Sequence, residues 1–203
     1  MNKITDRNYG EALYEYPEDM ALKDAIEKAV SEGVDLSGAE LTYVDLAGVN
    51  LEGGRLEEAD LRGSDLSGAN VAGADLLDAD LESADLSGAN FSGANIYGAN
   101  FQYAELDNVD MSGTNIFSAN FNDTDLSTVN FLGATVEYSD ADDGEYLQER
   151  LEHINRTHAL AKEGWRIELV GAGEPTRWHR EWTSRLVVTG HITRDAINHE
   201  GIE

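Results

Sequence analysis

The chain has 203 residues, 14 of them Lys or Arg against 40 Asp or Glu, and it contains no cysteine. A net charge of −26 excludes phosphate recognition by its acidic surface, and the lack of thiols excludes disulfides and cysteine nucleophiles. No stretch approaches 18 apolar residues and no apolar run comes after the first charges, so a soluble, cytoplasmic protein without membrane contact is expected.

Residues 8–16, Asn-Tyr-Gly-Glu-Ala-Leu-Tyr-Glu-Tyr, read as a short strand or hairpin ahead of Pro17. From Asp19 to Ser31 the apolar residues Leu22, Ile26, Ala29 and Val30 keep helical spacing, and Gly33 supplies a stop.

From Val34 to Tyr138 the chain consists of 21 uninterrupted five-residue units, such as Ala-Asp-Leu-Ser-Gly at 84–88. The third position is always apolar, from Leu36 through Phe91 and Phe101 to Val136. The first position is Ala or Val except at Gly54, Ser64, Thr114 and Thr124. All nineteen acidic residues of the segment fall on the other three positions. A period of five that divides apolar from polar this sharply is neither a helix nor an alternating strand. It means a solenoid, in which each unit buries its apolar side against its neighbours. Residues 1–33 are expected to cover the open end of that solenoid.

These units resemble the pentapeptide repeat family. The resemblance implies an all-β solenoid, a right-handed quadrilateral parallel β-helix with one unit per side and twenty residues per coil. On that basis residues 34–138 form the β-helix, residues 1–33 an N-terminal strand and helix cap, and residues 139–203 a C-terminal α+β module. Leucine dominates the third position up to Leu86 and phenylalanine appears from Phe91, so the later coils are expected to be wider.

Taking every fourth unit sorts the second positions into columns. One holds Asp45, Asp65, Asp85, Glu105 and Asp125, an acidic ladder. The preceding column holds Glu40, Asp60 and Asp80, then Asn100 and Asn120, with Glu82 close by. The next column is almost neutral, with Asn50, Asn70, Asn90 and Asn130 around Asp110. Carboxylates stacked about 4.8 Å apart repel by about 1 kcal/mol per pair in water, and burial of a coil's apolar side chains exceeds that several-fold. The fold tolerates the ladder without benefiting from it. Either the face is shaped for a partner, or Asp and Asn have drifted within the family pattern. The fourth positions Leu77, Tyr97 and Phe117 are expected to form an outward apolar strip, covered by a terminal segment or by a partner.

Beyond the acidic hinge Ser139–Gly144 the composition changes, and all five histidines and all three tryptophans lie there. Residues 145–163 read as a helix, and Trp165–Val170 and Arg177–Thr189 as strands. Trp178, Arg180 and Trp182 are either interface residues or this module's own core. If the protein forms a homodimer, residues 139–203 are the expected contact. The histidines lack metal spacing, so no metal site and no cofactor is expected.

No nucleophile elbow, phosphate loop or zinc-protease motif occurs, and carboxylates on a convex, solvated rod are hard to tune. A non-enzymatic binding protein is expected. The family resemblance adds a specific form of it, since relatives that protect bacterial type II topoisomerases from quinolones present an acidic rod in place of DNA. A DNA mimic of that kind would occupy the basic DNA-binding surface of a topoisomerase or of a host defence enzyme, as a phage-type inhibitor would. Those relatives often carry loops between coils, and none interrupts the units here. The alternative is a rigid scaffold that displays the C-terminal module and uses its charge for solubility alone.

Overall fold

The computed structural model describes residues 1–135, 165–170 and 185–191. Its central feature is a square coil of twenty residues, shown by parallel bridges between second positions one coil apart: Asp35 with Arg55, Glu40 with Asp60, Asp45 with Asp65 and Asn50 with Asn70. Five complete coils, residues 34–53 through 114–133, stack in this register, with the bridge missing at one place, between Glu105 and Asp125. The four faces are numbered from the first coil as 34–38, 39–43, 44–48 and 49–53.

Three backbone hydrogen bonds recur in nearly every unit. The third-position N–H donates to a second-position carbonyl one coil on, as from Leu36 to Arg55 at 3.0 Å. The fifth-position N–H donates to a fourth-position carbonyl, as from Gly68 to Ser87 at 2.8 Å. The second-position N–H donates back one coil, as from Asp60 to Ala39 at 2.9 Å. Each corner closes when the first-position N–H donates to the third-position carbonyl three residues earlier, as from Ala69 to Leu66. That corner drives the fifth residue into the left-handed region, where glycine is favoured and small polar residues are tolerated. Tyr43, Glu58, Asp78, Ser83, Tyr103, Asn108, Ser118 and Asp123 occupy it without being glycine.

Every third-position residue from Leu36 to Phe131 is buried, as the period demands. Phe101 and Phe121 from the second face meet Phe91 and Phe131 from the fourth. The ring centroids of Phe91–Phe101, Phe101–Phe121 and Phe121–Phe131 are 6.1, 5.1 and 5.7 Å apart. Two first-position hydroxyls are buried and satisfied, Ser64 donating to the Leu41 carbonyl at 2.5 Å and Thr114 to that of Met111 at 2.7 Å.

The N-terminal residues form β1 (Asn2–Thr5), β2 (Ala12–Tyr16) and α1 (Leu22–Ser31), with β1 antiparallel to β2. The expected helix and the hairpin before Pro17 are present. The hairpin's first strand, β1, lies outside the 8–16 segment read from the sequence, because its alternation is too short to stand out. Ala25, Ile26 and Ala29 of α1 are buried, and Gly33 takes a φ of +71° just past its end. Edge groups of the first coil find partners here. The Glu40 N–H donates to the Thr5 carbonyl at 2.8 Å, the Asn50 N–H to Glu27 Oε1 at 2.9 Å, and Lys23 Nζ to the Ala47 carbonyl.

β3 (Trp165–Val170) pairs antiparallel with β4 (Arg185–His191), with a register shift at Arg166/Ile167. The first of these strands matches the expected segment, and the second extends two residues past Thr189. Tyr138, the expected helix 145–163, and Trp178, Arg180 and Trp182 lie outside the described residues.

Candidate partner-binding face

The Asp and Asn of the second position have a local task. In all seventeen described units that carry one of them there, Oδ1 accepts the backbone N–H two residues on, at 2.9–3.3 Å. Ser67 N to Asp65 at 2.9 Å and Arg62 N to Asp60 at 3.3 Å mark the two ends of that range. That N–H belongs to the fourth position, which the ladder leaves without a carbonyl. A short side-chain acceptor closes the turn in its place. Aspartate and asparagine perform this task equally well.

They differ in the next step. Asparagine keeps an Nδ2–H pair, and wherever an asparagine stacks on an Asp or Asn of the preceding coil it donates to that residue's Oδ1. Asn70 to Asn50 (3.1 Å), Asn90 to Asn70 (3.3 Å), Asn100 to Asp80 (3.0 Å), Asn120 to Asn100 (2.8 Å) and Asn130 to Asp110 (3.0 Å) are examples. The third face has no asparagine at this position. Its column, Asp45, Asp65, Asp85, Glu105 and Asp125, makes none of these bonds, since an ionised carboxylate has nothing to donate. Asp45, Glu105 and Asp125 are exposed, and Asp65 and Asp85 half-buried.

The column is less regular than its spacing implies. Parallel bridges join Asp45, Asp65, Asp85 and Glu105, and none joins Glu105 to Asp125. The break coincides with Thr128, the one β-branched residue at a described fifth position and the one absent from the positive-φ set. Its branched Cβ disfavours the left-handed turn, and its hydroxyl replaces a carbonyl as acceptor for the Asn108 N–H at 2.9 Å.

The carboxylates also differ in titration. Ser67 and Ser127, through their hydroxyls and then their N–H groups, hold Asp65 and Asp125 below the usual carboxylate range, and Ser37 does the same for Asp35. Glu57 is raised, chiefly by repulsion from Asp75.

The second face departs from the expectation drawn from the sequence. Asp60 is only 6% exposed, and Arg62 grips it with two bonds, Nε to Oδ1 at 2.8 Å and Nη2 to Oδ2 at 2.6 Å. This grip is the main reason that Asp60 is held below the normal range. Arg62 also reaches Asp80 at 3.6 Å. Asp60 is therefore withdrawn from the acidic surface and Asp80 partly neutralised, leaving Glu40 exposed and Glu82 half-buried beside the ladder. The signal was available, because a fourth-position arginine two residues past Asp60 and eighteen before Asp80 must stand beside both once the coil is twenty residues.

The apolar strip lies on the first face. Leu77, Tyr97 and Phe117 are each half-buried, with the Tyr97 and Phe117 rings 5.3 Å apart. Apart from Tyr9 in the N-terminal segment, the exposed aromatics among the described residues stand elsewhere on the rod. Tyr43 is 83% and Tyr103 55% exposed, both at fifth positions of the second face. Sequence reading missed them, although a separation of sixty residues places them in one column.

A family model for pentapeptide repeats, in eight copies, matches residues 27–57, 55–93 and 94–133. The chain belongs to the pentapeptide repeat family. A pentapeptide repeat protein of the Arabidopsis thaliana thylakoid lumen is 28% identical, over 58% of this chain and 74% of its own, with a TM-score of 0.40. A pentapeptide repeat protein from Nostoc PCC 7120 is 30% identical, over 52% and 91%, with a TM-score of 0.33. Full-length QnrB1, a plasmid-mediated fluoroquinolone resistance protein, is 16% identical, over 60% and 83%, also with a TM-score of 0.33. A comparison with curated proteins gives no match. Among the described residues of this pentapeptide repeat chain no group of three or more His, Cys, Asp or Glu could hold a metal ion, and no helix is long and apolar enough to cross a membrane.

Proposed function

We propose that this pentapeptide repeat protein is a non-enzymatic DNA mimic, whose third face, Asp45, Asp65, Asp85, Glu105 and Asp125, occupies the basic DNA-binding surface of a DNA-handling enzyme such as a type II topoisomerase or a host defence enzyme. One observation carries the reading. The third-face column forgoes every inter-coil side-chain bond that asparagine makes on the other faces, and it keeps five stacked acids where asparagine closes the same turn elsewhere on the rod. Exposed Glu40 and half-buried Glu82 extend the same surface.

Charge density supports the same reading. Residues 34–135 carry eighteen acidic and two basic side chains, net −16. Five coils at about 4.8 Å make a rod about 24 Å long, so one net charge falls about every 1.5 Å. Duplex DNA carries one per about 1.7 Å of axis. A basic groove that fits the duplex meets a similar linear field on this rod.

Residues 1–33, through α1 and the hairpin, would act as the N-terminal cap of the rod. Residues 139–203 would carry any self-association, which cutting the chain after residue 138 would abolish in light scattering. The competing reading, a scaffold whose charge serves solubility, predicts no competition with DNA. The deciding experiment offers a DNA-bound type II topoisomerase the intact protein at rising salt. A mimic displaces labelled duplex and loses potency steeply as salt rises. Undisturbed complexes at every salt, with the topoisomerase and with a DNA-binding host defence enzyme alike, would leave the scaffold reading standing and overturn this one.

A further inference from the structure

We infer that Tyr43 and Tyr103, at the corner between the second and third faces, make the third face selective for arginine over lysine, so that the partner docks through guanidinium groups stacked on the two rings. The inference rests on the third face being the partner-binding surface. Both tyrosines hold a φ near +60°, 57° for Tyr43 and 60° for Tyr103, a conformation in which a bulky side chain is an outlier. Neither gains compensating burial, at 83% and 55% exposure. The fold would be served better by glycine, which fills eleven of the twenty described fifth positions.

Their placement assigns them a task. Each stands two residues before a ladder acid, Tyr43 before Asp45 and Tyr103 before Glu105, and both acids are exposed. The Tyr43 ring reaches over Gly63 in the next coil, where a Cβ would collide with its Cδ1 and Cε1. A glycine with φ +63° there is what lets the ring lie along the rod edge. The protein's own nearby guanidinium, Arg62, is bonded to Asp60, reaches Asp80 and also interacts electrostatically with Tyr43. Three coils separate the rings, about 14 Å at the usual strand spacing.

An aromatic face beside a carboxylate is a receptor for arginine. Its planar guanidinium stacks on the ring while its N–H fork binds the carboxylate, whereas the lysine ammonium is a compact point charge that fits the carboxylate alone. The ladder supplies attraction for any cation, and the tyrosines distinguish between cations.

The test uses fluorescein-labelled nona-arginine and nona-lysine, with anisotropy titrations of the full chain at low salt. Three variants are compared: Tyr43→Gly with Tyr103→Gly, Tyr43→Phe with Tyr103→Phe, and the five ladder acids changed to their amides. Glycine suits both backbone positions, and circular dichroism verifies that the fold survives. Each ring is expected to contribute about two- to fivefold to the preference for arginine, so the double glycine variant lowers the arginine-to-lysine affinity ratio about tenfold. The double phenylalanine variant retains the ratio. An unchanged ratio in the glycine variant, or a lost ratio in the phenylalanine variant, overturns the inference and leaves the ladder untouched. A ladder variant that binds both peptides like the parent overturns the ladder reading, and this inference with it.

Discussion

Asp65→Asn should stabilise the protein while weakening its binding. Asp65 sits in the column between Asp45 and Asp85, with one coil on either side. The substitution removes two like-charge contacts at about 4.8 Å, each costing about 0.9 kcal/mol in water and less in salt. It also supplies an Nδ2–H that can donate to Asp45 Oδ1, as Asn100 does to Asp80 at 3.0 Å, which contributes about 1 kcal/mol net. Against these gains stands the bond from Ser67 Oγ to Asp65 Oδ1 at 2.7 Å, which loses its charge assistance. The balance is a gain of about 1–2 kcal/mol, or a rise in Tm of roughly 4–8 °C for a rod of this size. Scanning calorimetry at low salt and at about 0.5 M salt would measure it, and the gain should shrink at the higher salt. The mirror change, Asn90→Asp on the fourth face, deletes the bond to Asn70 Oδ1 at 3.3 Å and sets a charge beside Asp110, so it should lower Tm. An Asp65→Asn protein that melts below the parent would refute the claim that the ladder is maintained against the interest of the fold.

The packing and titration of the rod lead to three further expected outcomes. Phe101→Ala empties the space between Phe91 and Phe121 and should cost about 3–5 kcal/mol, and an unchanged melt would sink the register of the coils. Thr128→Asn places a residue that tolerates the left-handed turn where Thr128 avoids it. The last coil should regularise and hydrogen exchange at the Asn108 amide should change, whereas an unaltered amide would mean that Thr128 is not the cause of the break. Asp35, Asp60, Asp65 and Asp125 have folded pKa values below their unfolded ones, so their contribution is present above the unfolded value near pH 4 and is lost as pH falls through the folded values. Glu57 is raised, so its contribution has the opposite sign and appears as pH falls through its folded value. With the general relief of negative charge, Tm should climb from pH 7 towards about pH 5 and fall below about pH 4. A Tm highest at pH 7 would contradict that ordering.

The five-residue period by itself determined which residues face inward, because a unit with one apolar third position and one small first position has a single way to bury them. Every third-position residue from Leu36 to Phe131 is buried accordingly. Charge density was legible for the same reason, since acids confined to three positions of a solenoid must lie outside. What the period could not convey is how side chains of neighbouring coils treat one another. Arg62 withdraws Asp60 from the surface because a long side chain can turn back on its own unit. The asparagine ladders exist because like side chains repeat at hydrogen-bonding distance, and that chemistry separates the third face from the rest. Tyr43 stands exposed over Gly63 because the corner forces a left-handed turn that points its ring along the rod. The sequence placed these residues in columns, but only the stacked coils decided which of them bond, which stay open, and so where a partner's charges can reach.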